Sequence, residues 1–368
     1  MFNVDSDIKK SSIIDKKFYI NNEVYQQVIN KIFAFSWQLI TDQVTINKNN
    51  VIPFIFLEKS INEPMILVKD DRMKCLSNVC THRAHIVVEK SCNKNKLKCK
   101  YHGRTFRLNG QLNHAPGFNN ASNFPTKNDN LIQYHIQNWH QFIFISMNPK
   151  INLSNALDDI GNRLPHYKFS NLIFDKHNSN SYYINANWAL YVDNYLEGFH
   201  IPFVHEDLNR ALDCNNYHTE PFEGGVLQIG TANDGETFFN IPQDSPDFGL
   251  RVSAYYYWIF PGLMLNFYPW GLSVNLVVPL SVNSTRIIYR GFVWDRKMLG
   301  KGAGGDLDKV ESEDQEIVEA THRGVSSTSY NRGRYSPTKE TGVHHFHRIL
   351  TKHVLNQRNY SETLPNPR

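Results

Sequence analysis

The sequence predicts an α+β fold in two parts. One is an all-β unit over residues 33–150; the other, from residues 1–32 and 151–368, is an antiparallel sheet with helices packed on it. Three observations lead there. Short apolar or alternating runs punctuated by Asn, Gly and Pro crowd the first part. Three strand-like runs joined by Pro/Gly turns, and a fourth after them, crowd residues 255–295. Helical periodicity appears on both sides of those four runs.

Taken in order, "NNEVYQQVINKIF" is a short helix, opened by Asn and carrying Val24, Val28 and Ile32 four residues apart. "WQLITDQVTI", "VIPFIFLE", "PMILVKDDRMKCLSNVC", "LIQYHI" and "QFIFISMNP" are the strands of the first unit. Trp188, Tyr191, Val192, Tyr195 and Phe199 then lie at helical spacing up to Pro202, which should end that helix. "YYYWIF", "LMLNFY", "LSVNLVVPL" and "STRIIYRGFVWD" follow as strands, and an acidic helix over 306–324 comes last.

Composition narrows the function. The 368 residues can bury a sizeable core, and 41% hydrophobic with 20% charged residues describes a soluble globular chain. A net charge of +4 is too mild to argue for nucleic acid by itself, and none is expected as a partner. The polar start, "MFNVDSDIKKSSIIDKK", has no signal-peptide pattern, and no apolar run approaches the length of a membrane span. Five cysteines without a disulfide-framework spacing fit a reducing cytoplasm.

The chemistry begins at "CTHRAHIVVEKSCNKNKLKCKYHG". Cys80 and His82 form one arm, and Cys99 and His102, after 16 intervening residues, form the other. Thiolates and imidazoles together bind soft or borderline metals, zinc or iron–sulfur. Zinc fingers usually put two cysteines on one arm and two histidines on the other. A two-iron cluster with one iron on two thiolates and the other on two imidazoles needs one of each per arm. Cys75, Cys92 and Cys214 fall outside the pattern and read as buried or merely tolerated cysteines, and His85 as structural or solvent-facing.

A second candidate site lies in "DNYLEGFHIPFVH". On an unbroken helix His200 and His205 would point about 140° apart; a chain broken at Pro202 could fold them together. Two histidines and one carboxylate leave open positions on Fe(II) for O₂. In "DLDKVESEDQEIVEATHRG" the apolar stripe Leu307, Val310, Ile317, Thr321 has Asp314 in its gap, where a carboxylate must be paired or metal-bound. Glu311 is the rival on the flank, while Asp308, Glu313, Glu316 and Glu319 read as solvated.

"CTHR" with "CKYHG" resembles the cluster motif of Rieske proteins, and "EGFHIPFVH" resembles the mononuclear-iron motif of Rieske non-haem iron oxygenases, in their α (catalytic) subunit. The resemblance spans nearly the whole chain. It implies a β-sandwich Rieske domain beside a helix-grip catalytic domain. It also implies that Cys80 and Cys99 hold one cluster iron, His82 and His102 the other, and His200, His205 and Asp314 the mononuclear iron. The family's third ligand is an Asp five residues before a Glu, as Asp314 stands to Glu319. Glu197, three residues before His200 and expected on the same helical face, matches the carboxylate that bridges a cluster histidine of one subunit to an iron-ligand histidine of its neighbour. The cofactors implied are a [2Fe-2S] cluster and non-haem Fe(II). The implied partners are an NAD(P)H-dependent reductase, O₂ and two further copies of the chain.

For substrate, "NFYPWGLSVN" and the iron motif look most like the choline and carnitine monooxygenase branch. Tyr255, Tyr256, Tyr257, Trp258, Phe267, Tyr268 and Trp270 could supply an aromatic cage for a quaternary amine. The same residues could line a pocket for an aromatic ring, or simply pack the sheet. A different alternative is a Rieske electron carrier without oxygenase activity. The lysine-rich run 90–107 could dock an acidic electron donor. "GKGAGG" at 300–305 reads as a loop rather than a dinucleotide site, and "HHFHR" as packing or surface histidines.

Overall fold

The computed structural model describes residues 2–355; residues 356–368, placed in the second part by sequence, lie outside the described residues. The chain forms two compact units, one of Ala34–Lys150 and one holding the chain up to Phe33 and again from Ile151.

In the unit Ala34–Lys150, strands β1 (Gln38–Asp42), β2 (Val51–Phe56), β3 (Glu63–Lys69), β4 (Met73–Ser77), β8 (Gln133–Trp139) and β9 (Phe142–Ser146) form one antiparallel sheet. Its order is β1-β9-β8-β4-β3-β2. A small second sheet, β5 (Leu97–Lys98), β6 (Thr105–Phe106) and β7 (Leu112–His114), carries the second metal arm. These three short strands have too few residues for alternation to reveal them in the sequence. The run "WQLITDQVTI" is a strand only in its first half. Asp42 accepts from Thr45 N at 2.9 Å and starts a helical turn, Gln43–Ile46.

The other unit is built on seven antiparallel strands: β10 (Ile173–Ile184), β11 (His218–Phe222), β12 (Gly225–Thr231), β13 (Val252–Ile259), β14 (Leu263–Tyr268), β15 (Gly271–Ser281) and β16 (Ser284–Val293). Their order is β10-β16-β15-β14-β13-β12-β11. Register puts Gln228 beside Tyr256, Tyr256 beside Asn266, and Asn266 beside Ser273, so these residues share one face. Tyr255, Tyr257 and Phe267 alternate to the other face. There Tyr255 donates to Asp247 at 3.0 Å and Tyr257 to Asp159 at 2.9 Å.

Helices Trp188–Tyr195 and Leu307–Val325 pack on one another. Asn187 caps the first through Ala189 N, and Asp306 caps the second through Lys309 N. The first helix is shorter than its apolar spacing predicts. It stops at Tyr195, so Glu197 lies beyond its end and not on its face. Pro202 does not end a helix either: it sits in the first turn of a new one, Ile201–Val204, where its missing N–H costs nothing.

The "HHFHR" histidines serve packing. His344 meets the Asp5 carbonyl at 2.7 Å and His345 that of Phe222 at 2.9 Å. Fully buried His347 lies between Tyr335, at 2.7 Å, and Asp193, at 2.8 Å. Among the described residues no helix is long and apolar enough to cross a membrane.

Candidate iron centres

The two cysteine–histidine arms fold into matching turns. The Ala84 N–H donates back to the Cys80 carbonyl at 3.0 Å, and Gly103 N–H to that of Cys99 at 3.2 Å. Ala84 and Gly103 both take left-handed backbone, φ 53° and 73°, which turns each arm back on itself. Glycine accepts that conformation freely; Ala84 holds it at a cost of order 1 kcal/mol. Cys80 and Cys99 are buried in the unit's core among Ile66, Leu76, Leu97 and Phe106. Arg104, 3% exposed, ties the arms together by donating to Thr81 Oγ1 at 3.1 Å, and its guanidinium lies 4.5 Å from the centre of the Phe118 ring.

The donor atoms fall into two pairs. The Cys80 and Cys99 thiols neighbour one another, and burial, then that neighbour, pushes the Cys80 thiol upward. The His82 and His102 rings lie 4.6 Å apart. His82 Nδ1 is buried without a hydrogen-bond partner, which would be an unexplained cost unless a metal takes its lone pair. Among the described residues the four do not gather their donor atoms within 4.8 Å of one another, as a single tetrahedral zinc requires. Paired sulfurs and paired imidazoles fit a two-iron cluster. Cys75, Cys92 and Cys214 lie elsewhere and are free thiols.

His200, His205 and Asp314 do gather: one donor atom from each lies within 4.8 Å of the others. His205 Nε2 is 3.1 Å and His200 Nε2 3.6 Å from Asp314 Oδ1, to which Asn194 Nδ2 donates at 2.5 Å. Each histidine turns Nδ1 to a carboxylate. His200 meets Glu197 Oε1, and His205 meets Glu313 Oε2, both at 2.7 Å. Carboxylates on Nδ1 fix the tautomer in which Nε2 carries the lone pair, and so point it at a metal. Burial alone would lower the His205 pKa, but Asp314 and Glu313 together raise it. Glu197 reaches His200 from a bend, where its Oε2 also accepts from His200 N at 3.0 Å.

Glu313 is thus a site residue that helical periodicity assigned to solvent. Asp308 and Glu316 are exposed, as expected, and Glu319 is half-buried, although Asp308 and Glu319 have partners. Tyr182 donates to Asp308 at 3.2 Å, and Asn185 N to Glu319 at 2.8 Å. Glu311, the rival third ligand, is outside the triad. Its Oε2 accepts from Tyr191 OH at 2.9 Å and from Tyr289 OH, and Asn275 Nδ2 lies 3.4 Å from Oε1. Burial, then the neighbouring Asp314, holds its pKa well above the usual carboxylate range.

The triad opens on a pocket of about 80 Å³. Its floor is the polar row Gln228, Tyr256 and Asn266; Leu307, Val310 and Glu311 wall it, with Ala303 from the glycine-rich loop. Of the seven aromatics expected as a cage, Tyr256 and Tyr268 line it. Tyr255, Tyr257, Trp258 and Phe267 are core, and Trp270 stacks behind Tyr268 with ring centres 5.0 Å apart. Tyr191, Tyr195 and Tyr217 complete the lining and come from outside the strands scanned for aromatics.

Residues 36–125 match the family described as Rieske [2Fe-2S] domain. Residues 173–356 match that described as ring hydroxylating alpha subunit (catalytic domain). Choline monooxygenase of Arabidopsis thaliana is 26% identical over 367 residues, covering 93% of this chain and 83% of its own. The carnitine monooxygenase oxygenase subunit of Escherichia coli K12 is 25% identical over 361 residues, with coverage of 92% and 93%. The quaternary ammonium Rieske monooxygenase CntA, solved with L-carnitine, superposes with a TM-score of 0.73 at 22% identity, over 94% of this chain and 96% of its own. Naphthalene 1,2-dioxygenase from Rhodococcus sp. gives 0.73 at 17%, over 94% and 95%.

A thiolate–imidazole domain and a two-histidine, one-carboxylate pocket in one chain are the donor sets that the two iron centres of an iron oxygenase would need. The chain belongs to the Rieske non-haem iron oxygenases, as an α (catalytic) subunit carrying a [2Fe-2S] domain and a non-haem iron catalytic domain. The electron-carrier alternative falls with the catalytic domain.

Proposed function

We propose that the protein hydroxylates a small quaternary ammonium compound of the choline, carnitine or betaine type, using O₂ and electrons from a separate NAD(P)H-dependent reductase. One observation carries this: the pocket at His200, His205 and Asp314 is lined by five tyrosines and, among the described residues, by no lysine or arginine. Tyrosine faces attract an organic cation, about 0.5–2 kcal/mol each once water is excluded. An aromatic acid would bring its carboxylate into a wall without a counter-charge, at several kcal/mol. The names of the relatives, choline and carnitine monooxygenase, point the same way.

In this reading Cys80 and Cys99 hold one cluster iron, His82 and His102 the other, and His200, His205 and Asp314 the mononuclear iron. Once bound, the cluster delivers single electrons and the mononuclear iron activates O₂. Glu197 and Glu313 orient the two ligand imidazoles. Asn194 steadies Asp314, and the apolar wall of Leu307 and Val310 keeps water from the reacting carbon. Glu197 also serves as the bridge to a neighbouring subunit's cluster in a homotrimer. The groove lined by Lys90, Lys94, Lys96, Lys98 and Lys100 docks the acidic electron donor.

Substrate-dependent O₂ uptake with a surrogate reductase tests the reading. Choline, carnitine or a betaine should trigger uptake matched by an oxygenated product. Uptake with benzoate alone would make the substrate an aromatic acid.

A further inference from the structure

We propose that Glu311 selects for positive charge in the substrate, setting its carboxylate against the cationic head inside the pocket. This rests on the quaternary-ammonium reading above and names the residue that enforces it. Glu311 lies one helical turn before Asp314 and lines the same pocket without joining the ligand triad. The hydroxyls of Tyr191 and Tyr289, themselves 2.6 Å apart, both bind Oε2. Oε1 has only the long 3.4 Å contact from Asn275, which leaves it acceptor capacity in a residue that faces the cavity.

A carboxylate this enclosed must be neutralised by a proton or by a cation. No lysine or arginine lines the cavity among the described residues, so the protein provides no cation there. A quaternary ammonium has no N–H to donate. What can recognise it is a negative charge together with aromatic faces: Glu311, ionised when the cation takes the place of its proton, supplies the first, and Tyr195, Tyr217, Tyr256 and Tyr268 the second. A purely structural role would need only the polarity of Glu311, which glutamine retains. The charge is what separates the two roles.

The test compares choline with its neutral carbon isostere, 3,3-dimethylbutan-1-ol, in wild type and in Glu311→Gln. Binding is followed by calorimetry, turnover by O₂ uptake, and iron content is measured in parallel. Wild type should prefer the cation by ~30-fold or more, as expected for a charge paired in a low-dielectric pocket. Glu311→Gln should bring the two ligands within about threefold, by weakening choline while the isostere and the iron content stay as they were. A variant that oxidises choline and keeps the wild-type preference overturns the inference and leaves the proposed function standing. Should Glu311→Gln not fold, a wild type that binds the isostere as well as choline overturns it equally. A wild type that oxidises no quaternary ammonium at all removes the proposed function, and this inference with it.

Discussion

At the scale of single residues, the iron pocket is a set of side chains each held by another. Replacing Asp314 with Ala removes the proposed anionic ligand, so iron should fall from about three atoms per chain to about two, with the cluster's reduced EPR signal intact. Metal analysis beside EPR checks this; loss of both together would place Asp314 in a general folding role. Glu313→Gln keeps a hydrogen-bond acceptor for His205 but loses the charge, and should weaken iron binding ~10–100-fold, as measured by competition with a chelator. Unchanged affinity would reduce the Glu313–His205 contact to packing. Glu313 also shows where reading along one helix stops. Its place on the acidic helix looks solvent-facing, and its partner, His205, arrives from a segment more than a hundred residues earlier. The apolar stripe that singled out Asp314 holds only in its first half: Leu307 and Val310 wall the pocket beside it, whereas Ile317 and Thr321 are exposed and the helix buries Val318, His322 and Val325 instead. Asn194 carries no such signal, since its role exists only once the two helices pack.

At the scale of elements, strands were easier to read than the ends of helices. The runs that became β13, β14 and β15 are joined by Pro/Gly turns with local chemistry of their own, while β16 follows β15 through a short Val282–Asn283 turn. Helix Trp188–Tyr195 kept its apolar spacing past its true end because Phe199 falls in phase by chance; the backbone had already turned at Leu196 to bring Glu197 onto His200. Pro202 then starts a turn and still separates the two histidines, so the expected pairing arises by a different backbone route. The glycine-rich loop has a packing reason to be glycine. A Cβ on Gly304 would stand 2.4 Å from Trp270 Nε1, behind the pocket tyrosine Tyr268. Gly304→Ala should destabilise by about 1–3 kcal/mol through overpacking, lowering the melting temperature by about 2–4 °C per kcal/mol. Differential scanning calorimetry checks it, and an unchanged melting temperature would mean that the loop yields freely.

At the scale of the whole molecule, the two units divide labour: one keeps its metal arms in a small β core, the other builds a pocket on a seven-stranded sheet. Both proposed metal motifs could be read in the sequence because candidate ligands recur there at short, metal-compatible spacings. The substrate could not, because the pocket tyrosines come from scattered elements and only two of the expected seven face inward. Lys90, Lys94, Lys96, Lys98 and Lys100 remain a surface feature, so their effect should be screened by salt. Cluster reduction by an acidic donor should slow ~10-fold between about 20 and 300 mM ionic strength in stopped-flow measurements. A rate indifferent to salt would put the donor elsewhere.

The claim beneath all of this is that electrons stored in the cysteine–histidine domain are spent at His200, His205 and Asp314 on an organic cation. It is tested most directly by reducing the protein chemically, mixing it with O₂ in the presence and absence of choline, carnitine or a betaine, and following cluster reoxidation by its visible absorbance. The account predicts fast reoxidation triggered by at least one of these cations, with oxygenated product formed, and neither in Asp314→Ala. Reoxidation at the same rate in Asp314→Ala, with or without a cation, would contradict it.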